Sequence, residues 1–290
     1  MMTHFSTRHK AIAALIGCAV LWSSGGFLIK SVALEPLAIS GWRSLIAMFF
    51  LLAVGGRPKP VARPVFWGAA LAYAGTLTSF TMATGLTTAA NAVLLQYTAP
   101  VFVSLFSWLF YKLRPQKPDI AVLAVISAGL FLFFYEALHW PVYPGAMAGN
   151  LFGLSSGILF ALQAVWMHQS IRSGCSPVSI MVFGNFFCFL VSLPVLQNQV
   201  PSAADLMGLL LLGIFQVGAA YLLYQYALPH VTALELILIP VIEPLFNPIL
   251  VFLIQRELPG LLSMAGGILV LISVPGWCLW RNRTIIKKQL

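Results

Sequence analysis

Residues 236–253, LILIPVIEPLFNPILVFL, hold one carboxyl, Glu243, among Pro240, Pro244 and Pro248, with Asn247 one turn on, in a run that is otherwise apolar. If a helix enters a membrane near residue 231, Glu243 lies about twelve residues in, about 18 Å deep at 1.5 Å per residue, which is near the middle of the hydrocarbon. A carboxylate there is costly unless a cation or donors meet it. A group that binds and releases a proton at such a depth is what a proton-coupled exporter needs. Permanent fixation by Arg43 or by the neutral Asn247 is a second reading, and direct contact with cargo a third. Each proline removes an amide donor and crowds the carbonyl four residues back, so the carbonyls of Leu236, Pro240 and Pro244 are freed along one side of the helix. Freed carbonyls at membrane depth need protein or a water-filled cavity to receive them.

Two other charged residues sit clearly within apolar runs, away from their ends. Glu235 is one turn into the same run, placed for a gate or a helix cap, or for a side chain that reaches the headgroups. Arg43 lies about 10 Å below a membrane surface by the same rise and is free either to snorkel outward or to pair with Glu243. The uncharged polar and aromatic candidates are Trp22 and Ser23, then Gln96 and Tyr97 just before Pro100, then Gln163 and Trp166, and finally Tyr221, Tyr224 and Gln225. Tyr221 and Gln225 are four apart and share a helix face. Together these residues suit a cavity with stacking surfaces and few fixed charges, hence a zwitterionic or neutral cargo of apolar or aromatic character. Singly, each also fits an interfacial belt or a helix bridge. A phosphorylated cargo would call for basic groups at the midplane, and the sequence places none there.

No HExxH, Walker or nucleophile-elbow pattern occurs, so no enzyme, metal or cofactor is expected. Gly149, Gly153 and Gly157 form a small-xxx-small stripe, read as close helix packing because no strand precedes it. Cys18, Cys175, Cys188 and Cys278 lack metal or redox spacing and read as small apolar fillers.

The elements that position these groups follow from composition. The 290 residues are 60% hydrophobic and 8% charged, with mean hydropathy +0.93, against about a quarter charged in soluble domains. This is a polytopic membrane protein. Ten apolar runs of membrane-spanning length are expected, at 11–30, 36–55, 64–84, 88–111, 118–135, 150–170, 178–196, 206–228, 231–255 and 259–280. Of the 16 Lys and Arg residues, Lys30 and Arg256 fall in loops on one side and Arg43 inside a run, while all others, from Arg8 and Lys10 to Lys287 and Lys288, fall on the other side. The positive-inside rule then predicts N-in and C-in, and the net charge of +9 is a topology signal rather than a sign of nucleic-acid binding. A basic N-terminus before an apolar run also fits a signal peptide, but no small-residue cleavage site precedes a soluble segment, so the first run is read as retained.

Residues 83–115 lie without a gap over 227–259, at an offset of 144. Ala83 meets Ala227, Thr88 meets Thr232, Asn91 meets Glu235 and Pro100 meets Pro244; Gln96, Ala99 and Ser104 meet Pro240, Glu243 and Pro248. Five runs per half is an odd number, which gives an inverted-topology repeat, with residues 1–140 as one half and 141–290 as the other. Such repeats provide two equivalent gates around a midplane site.

Three stretches carry a resemblance: AVLWSSGGFLIKSVALEPLAISGWRSLIAMFFLLAV with Trp22 and Arg43, QYTAPVFVSLFSWLFY, and LIPVIEPLFNPILVFLIQRELPGLLSMAGGILVLISV with its EP pair, Glu257 and the GG of the tenth run. They resemble the EamA family of the drug/metabolite transporter superfamily. The resemblance implies an all-α fold of ten transmembrane helices in two inverted five-helix repeats around a central cavity, with the fifth and tenth helices peripheral. It also implies export of amino acids, aromatic ones included, or related metabolites from bacteria across the inner membrane; relatives that move sugars, nucleotide sugars or sugar phosphates supply the alternative. The position matching Glu257 in the first half is Leu113, where family members often carry an acid. The partners expected are thus a small-molecule cargo, the lipid bilayer and, through Glu243, a proton, with Arg43, Asn91, Glu235 and Asn247 as coupling or gating residues and the four prolines as helix-bending ones. The chain is expected to act as a monomer or homodimer.

Overall fold

The computed structural model describes residues 2–112, 117–141, 143–227, 229–230 and 239–289, and every regular element among them is helical. In chain order these are α1 (Met2–Ser23), α2 (Gly25–Ser31), α3 (Pro36–Gly55), α4 (Pro64–Leu86), α5 (Ala89–Gln96), α6 (Ala99–Tyr111), α7 (Lys117–His139), α8 (Ala146–Arg172), α9 (Pro177–Leu196) and α10 (Ala203–Leu210). A π-helical segment, Leu211–Ala219, joins α10 to α11 (Ala220–Ala227). A 3₁₀ turn, Ile239–Val241, leads into α12 (Ile242–Gln255), and α13 (Leu261–Gln289) follows.

Local chemistry sets the starts. Pro36, Pro64 and Pro177 open their helices in the first turn, where a missing N–H leaves no bond unmade. Thr88 caps α5 by accepting the Asn91 amide at 3.1 Å, and Ser202 with Asp205 forms a capping box on α10. The first apolar run is broken at Ser24, where the Ser23 and Ser24 hydroxyls donate back to the carbonyls of Ala19 and Leu21. Such back-bonding competes with the helical ladder at this interruption.

Six stretches are long and apolar enough to cross a membrane: Thr7–Ser31, Pro36–Gly55, Ala89–Phe110, Ala146–Ser170, Pro177–Leu196 and Ala203–Ala227. Three shorter apolar helical stretches, Ala124–His139, Glu243–Gln255 and Leu261–Ser273, accompany them. The remaining expected run is α4, 23 residues long but threaded with Thr76, Thr78, Ser79, Thr81 and Thr84. That polarity follows from its position: α4 packs on α8, α9 and α3 and buries most of its length.

Association of such helices gains little from the hydrophobic effect, because lipid tails are as apolar as leucine; close packing and interhelical hydrogen bonds do the work instead. The glycine stripe of α8 shows the first. A Cβ at Gly149 would lie 2.7 Å from Thr87, and one at Gly157 would lie 3.0 Å from the Leu95 carbonyl and 2.8 Å from the Thr98 hydroxyl. The stripe lets α8 lie against the α4–α5 turn and α5, as the sequence predicts. Asn91 shows the second: its amide nitrogen reaches Thr87, Asn150 and Ser263 at 3.3–3.4 Å, and Asn150 donates to the Phe133 carbonyl at 3.1 Å. One buried polar knot therefore ties α5, α7, α8 and α13 together.

The prolines sit at or near helix starts. Pro100 lies in the first turn of α6, after a turn at Tyr97 and Thr98, and Pro244 lies in the first turn of α12, after the 3₁₀ turn that holds Pro240. Both begin helices, where their missing donors are not needed. Pro248 is inside α12. The helices end alike as well: Lys112 after α6 and Arg256 after α12 both take φ 56°, at the 144-residue offset.

Candidate functional site

A cavity of about 120 Å³ lies between the helices, walled by Trp22, Arg43, Phe80, Gln96, Tyr97, Phe160, Gln216, Tyr221, Tyr224, Pro240 and Glu243, among others. Its aromatic side is a connected set. The Trp22 ring lies 5.3 Å from Tyr221, 5.6 Å from Tyr224 and 6.3 Å from Phe160, and Tyr221 lies 4.9 Å from Tyr73. These tilted and edge-on geometries are favourable aromatic contacts. The Tyr97 hydroxyl donates to the Pro240 carbonyl, one of the carbonyls that proline chemistry frees. Protein receives that carbonyl, and the bond joins the break before α6 to the break before α12.

Arg43 is fully buried, which overturns the snorkelling expectation. It faces inward because α3 packs against the π segment and α4, and its guanidinium donates to the Leu77 carbonyl at 2.9 Å and to Gln216 Oε1 at 3.3 Å. Its Nε has no partner. Glu243, 5% exposed, is on the same cavity wall. Among the described residues no ion pair joins the two, and no donor is within hydrogen-bonding distance of the Glu243 carboxyl. Asn247, the proposed neutral donor, is fully buried with neither side-chain polar atom bonded; it lies against Gly26, away from the cavity. Arg43 thus gives the cavity wall a basic group.

Of the remaining candidates, Trp22, Gln96, Tyr97, Tyr221 and Tyr224 converge on the cavity, and Ser23, Gln163, Trp166 and Gln225 are off its wall. Ser23 is buried and bonded to its own helix, Gln163 sits behind the wall beside the Tyr221 hydroxyl, and Trp166 stacks with Phe110 over Gly68. Gln225 leaves its carbonyl oxygen unbonded in the interior. Asn91 belongs to the polar knot. Glu235, and Leu113 with it, lie outside the described residues. Gln216, an amide in the same apolar run as Tyr221, Tyr224 and Gln225, is on the wall as well; residue type marked it, but only the fold gives its partner, Arg43.

The sequence model of the EamA-like transporter family matches this chain twice, over residues 9–135 and 147–275. The chain belongs to that family. Two uncharacterized transporters of Archaeoglobus fulgidus are each 24% identical to it, one over 277 residues, covering 94% of this chain and 98% of the relative, the other over 290 residues, covering 90% and 94%. An uncharacterized transporter of Bacillus subtilis is 28% identical over 191 residues, covering 64% of this chain and 60% of its own. A solved crystal structure shares the fold at a TM-score of 0.65 and 18% identity, covering 95% of this chain and 98% of that one.

This EamA-family chain has a second polar centre at one end of the helices. Lys30, at the end of α2, forms an ion pair with Glu257 at 3.0 Å and donates to the Thr87 carbonyl at 2.9 Å. Glu257 also accepts from the Ala89 amide at 2.7 Å and from the Tyr143 hydroxyl at 2.8 Å. Burial first, and then the bond to Glu257, push the Tyr143 phenol up to about 12, so it stays protonated and donates. Glu257 thereby serves as the acid at the N-terminus of α5, and Glu136 does the same for α13 by accepting the amides of Leu262 and Ser263.

Proposed function

We propose that this protein is a secondary active transporter that exports amino acids, aromatic or otherwise apolar, or related small metabolites across the bacterial plasma membrane by alternating access. One observation carries the reading: Arg43 and Glu243 share the wall of a single aromatic cavity without pairing with each other. A zwitterion supplies a carboxylate for the first and an ammonium for the second, and Trp22, Tyr97, Tyr221 and Tyr224 offer its side chain an apolar surface. Charged groups within a membrane normally face a pathway or a partner, and here they face the same space.

The architecture that goes with this reading is ten transmembrane helices, N-in and C-in, in two inverted halves, 1–140 and 141–290. It is supported by the double family match, by the 144-residue offset of the proline-initiated helices, and by basic residues biased to one side. Glu243 is the proton carrier in this scheme. Among the described residues it is the one carboxyl on the cavity wall and no donor holds it, so in this scheme it changes protonation as the mouth opens from one side to the other.

The test is transport by purified protein in liposomes loaded with labelled phenylalanine, tyrosine or leucine. Efflux is expected, accelerated by an imposed pH gradient in wild type and insensitive to the gradient in Glu243→Gln. Equal gradient-driven flux in both removes Glu243 as the carrier. If no amino acid moves while UDP-sugars or sugar phosphates exchange, the alternative is correct. That alternative draws on Arg43, but a guanidinium that shares its cavity with a carboxyl suits a single carboxylate better than a phosphate dianion.

A further inference from the structure

Arg43 is fully buried, yet no carboxylate meets it among the described residues. Removing a charge from water is costly, and buried charges are normally paired. Arg43 finds neutral acceptors instead, the Leu77 carbonyl and the Gln216 amide. A guanidinium carries five N–H donors in a planar fork that matches a carboxylate. Two are engaged, and Nε is buried without a partner.

The backbone is built around this pairing. Gln216 lies in the middle of the π-helical segment, a helix form that is rare and usually confined to a single turn. A Cβ at Gly213 in the same segment would stand 2.7 Å from the Arg43 carbonyl, and a Cβ at Gly25 would stand 2.8 Å from Gln216 Nε2. Close backbone approach at Gly213 and an unusual helix thus set α3 and the π segment together, with the Gln216 amide packed on Gly25. The residue type is informative as well. A glutamate at 216 would neutralise Arg43 permanently, whereas glutamine orients the fork and leaves its charge for another anion.

We propose that Arg43 and Gln216 form an anion seat for the carboxylate of the cargo, with Arg43 as the binding residue and Gln216 as the residue that positions it and sets its selectivity. The seat rests on the export reading above only for the identity of the anion. Glu243 on the same wall repels additional negative charge, so the seat favours a monoanion over a phosphate dianion.

Melting of the purified full-length protein in detergent tests the seat without knowledge of the cargo, using sodium acetate against sodium chloride at equal ionic strength. Acetate is expected to raise the melting temperature of wild type by several degrees and to leave Arg43→Gln unmoved. Gln216→Glu, which supplies its own carboxylate, is expected to melt above wild type and to gain nothing from acetate. The same acetate gain in all three proteins, or none in wild type, overturns the seat. In liposomes, phenylalanine is expected to outpace phenylalaninamide at least tenfold in wild type, with the preference lost in Gln216→Glu; a merely structural role would slow both cargoes alike. If acetate acts through Arg43 and Gln216 but no amino acid is carried, the seat stands and the amino acid reading falls.

Discussion

Tyr97 gives a measure of what a single side chain contributes at the cavity. Its hydroxyl meets the Pro240 carbonyl, an acceptor without a helical partner. Tyr97→Phe leaves that carbonyl unbonded in the interior, which costs about 1–3 kcal/mol. The melting temperature should therefore fall while expression is retained, and Phe at 97 preserves the ring, so any loss of transport would come from the relation of α6 to α12. Glu243 belongs to the same scale: its expected effect is on pH coupling, because among the described residues no hydrogen bond reaches its carboxyl. Trp22, Tyr221 and Tyr224 were legible as candidates from residue type alone. Arg43's surroundings were not, because a sequence gives depth in a helix but not the direction a side chain faces.

At the scale of elements, two helix contacts depend on the absence of a side chain. Gly157 of α8 faces the Leu95 and Gln96 carbonyls, both of them backbone atoms that cannot rotate away. Gly157→Val should separate α8 from α5 and cost about 1–3 kcal/mol, the usual range for overpacking, seen as a lowered melting temperature. Gly213→Ala presses on the Arg43 carbonyl and on Ile46. Its expected signature is different: a smaller loss of stability, together with a loss of discrimination between phenylalanine and its amide, because the π segment that carries Gln216 has moved. The glycine stripe of α8 was readable from its spacing of four. The π segment was not, since Leu211–Ala219 is an apolar run that satisfies an ordinary helical pattern, and its extra residue per turn reflects how α10 and α11 must meet α3.

For the whole molecule, the centre at Lys30 and Glu257 joins the end of α2, the α4–α5 turn, the loop before α8 and the loop after α12. Its side chains are 14% and 7% exposed, so the pair is largely removed from water. Breaking one partner of such a pair leaves the other charge uncompensated, and a loss of about 3 kcal/mol is expected for Glu257→Gln. Glu257 receives three donors, so its loss should exceed that of Lys30→Met. The double variant should be less destabilised than the sum of the two singles, and thermal melting of all four proteins checks this. An additive result would show that the ion pair contributes nothing beyond its separate hydrogen bonds.

The sequence by itself determined that this is an apolar, helical membrane protein of the two-repeat kind and gave the 144-residue correspondence, because each of these depends on composition and periodicity along one chain. It also marked the prolines. Tertiary structure decided that Pro100 and Pro244 begin helices, that Arg43 turns inward to Gln216 rather than outward or to Glu243, and that Glu257 meets Lys30. Those outcomes depend on which faces of distant helices come together, and residues 173 or 227 positions apart carry no mark of one another in the chain.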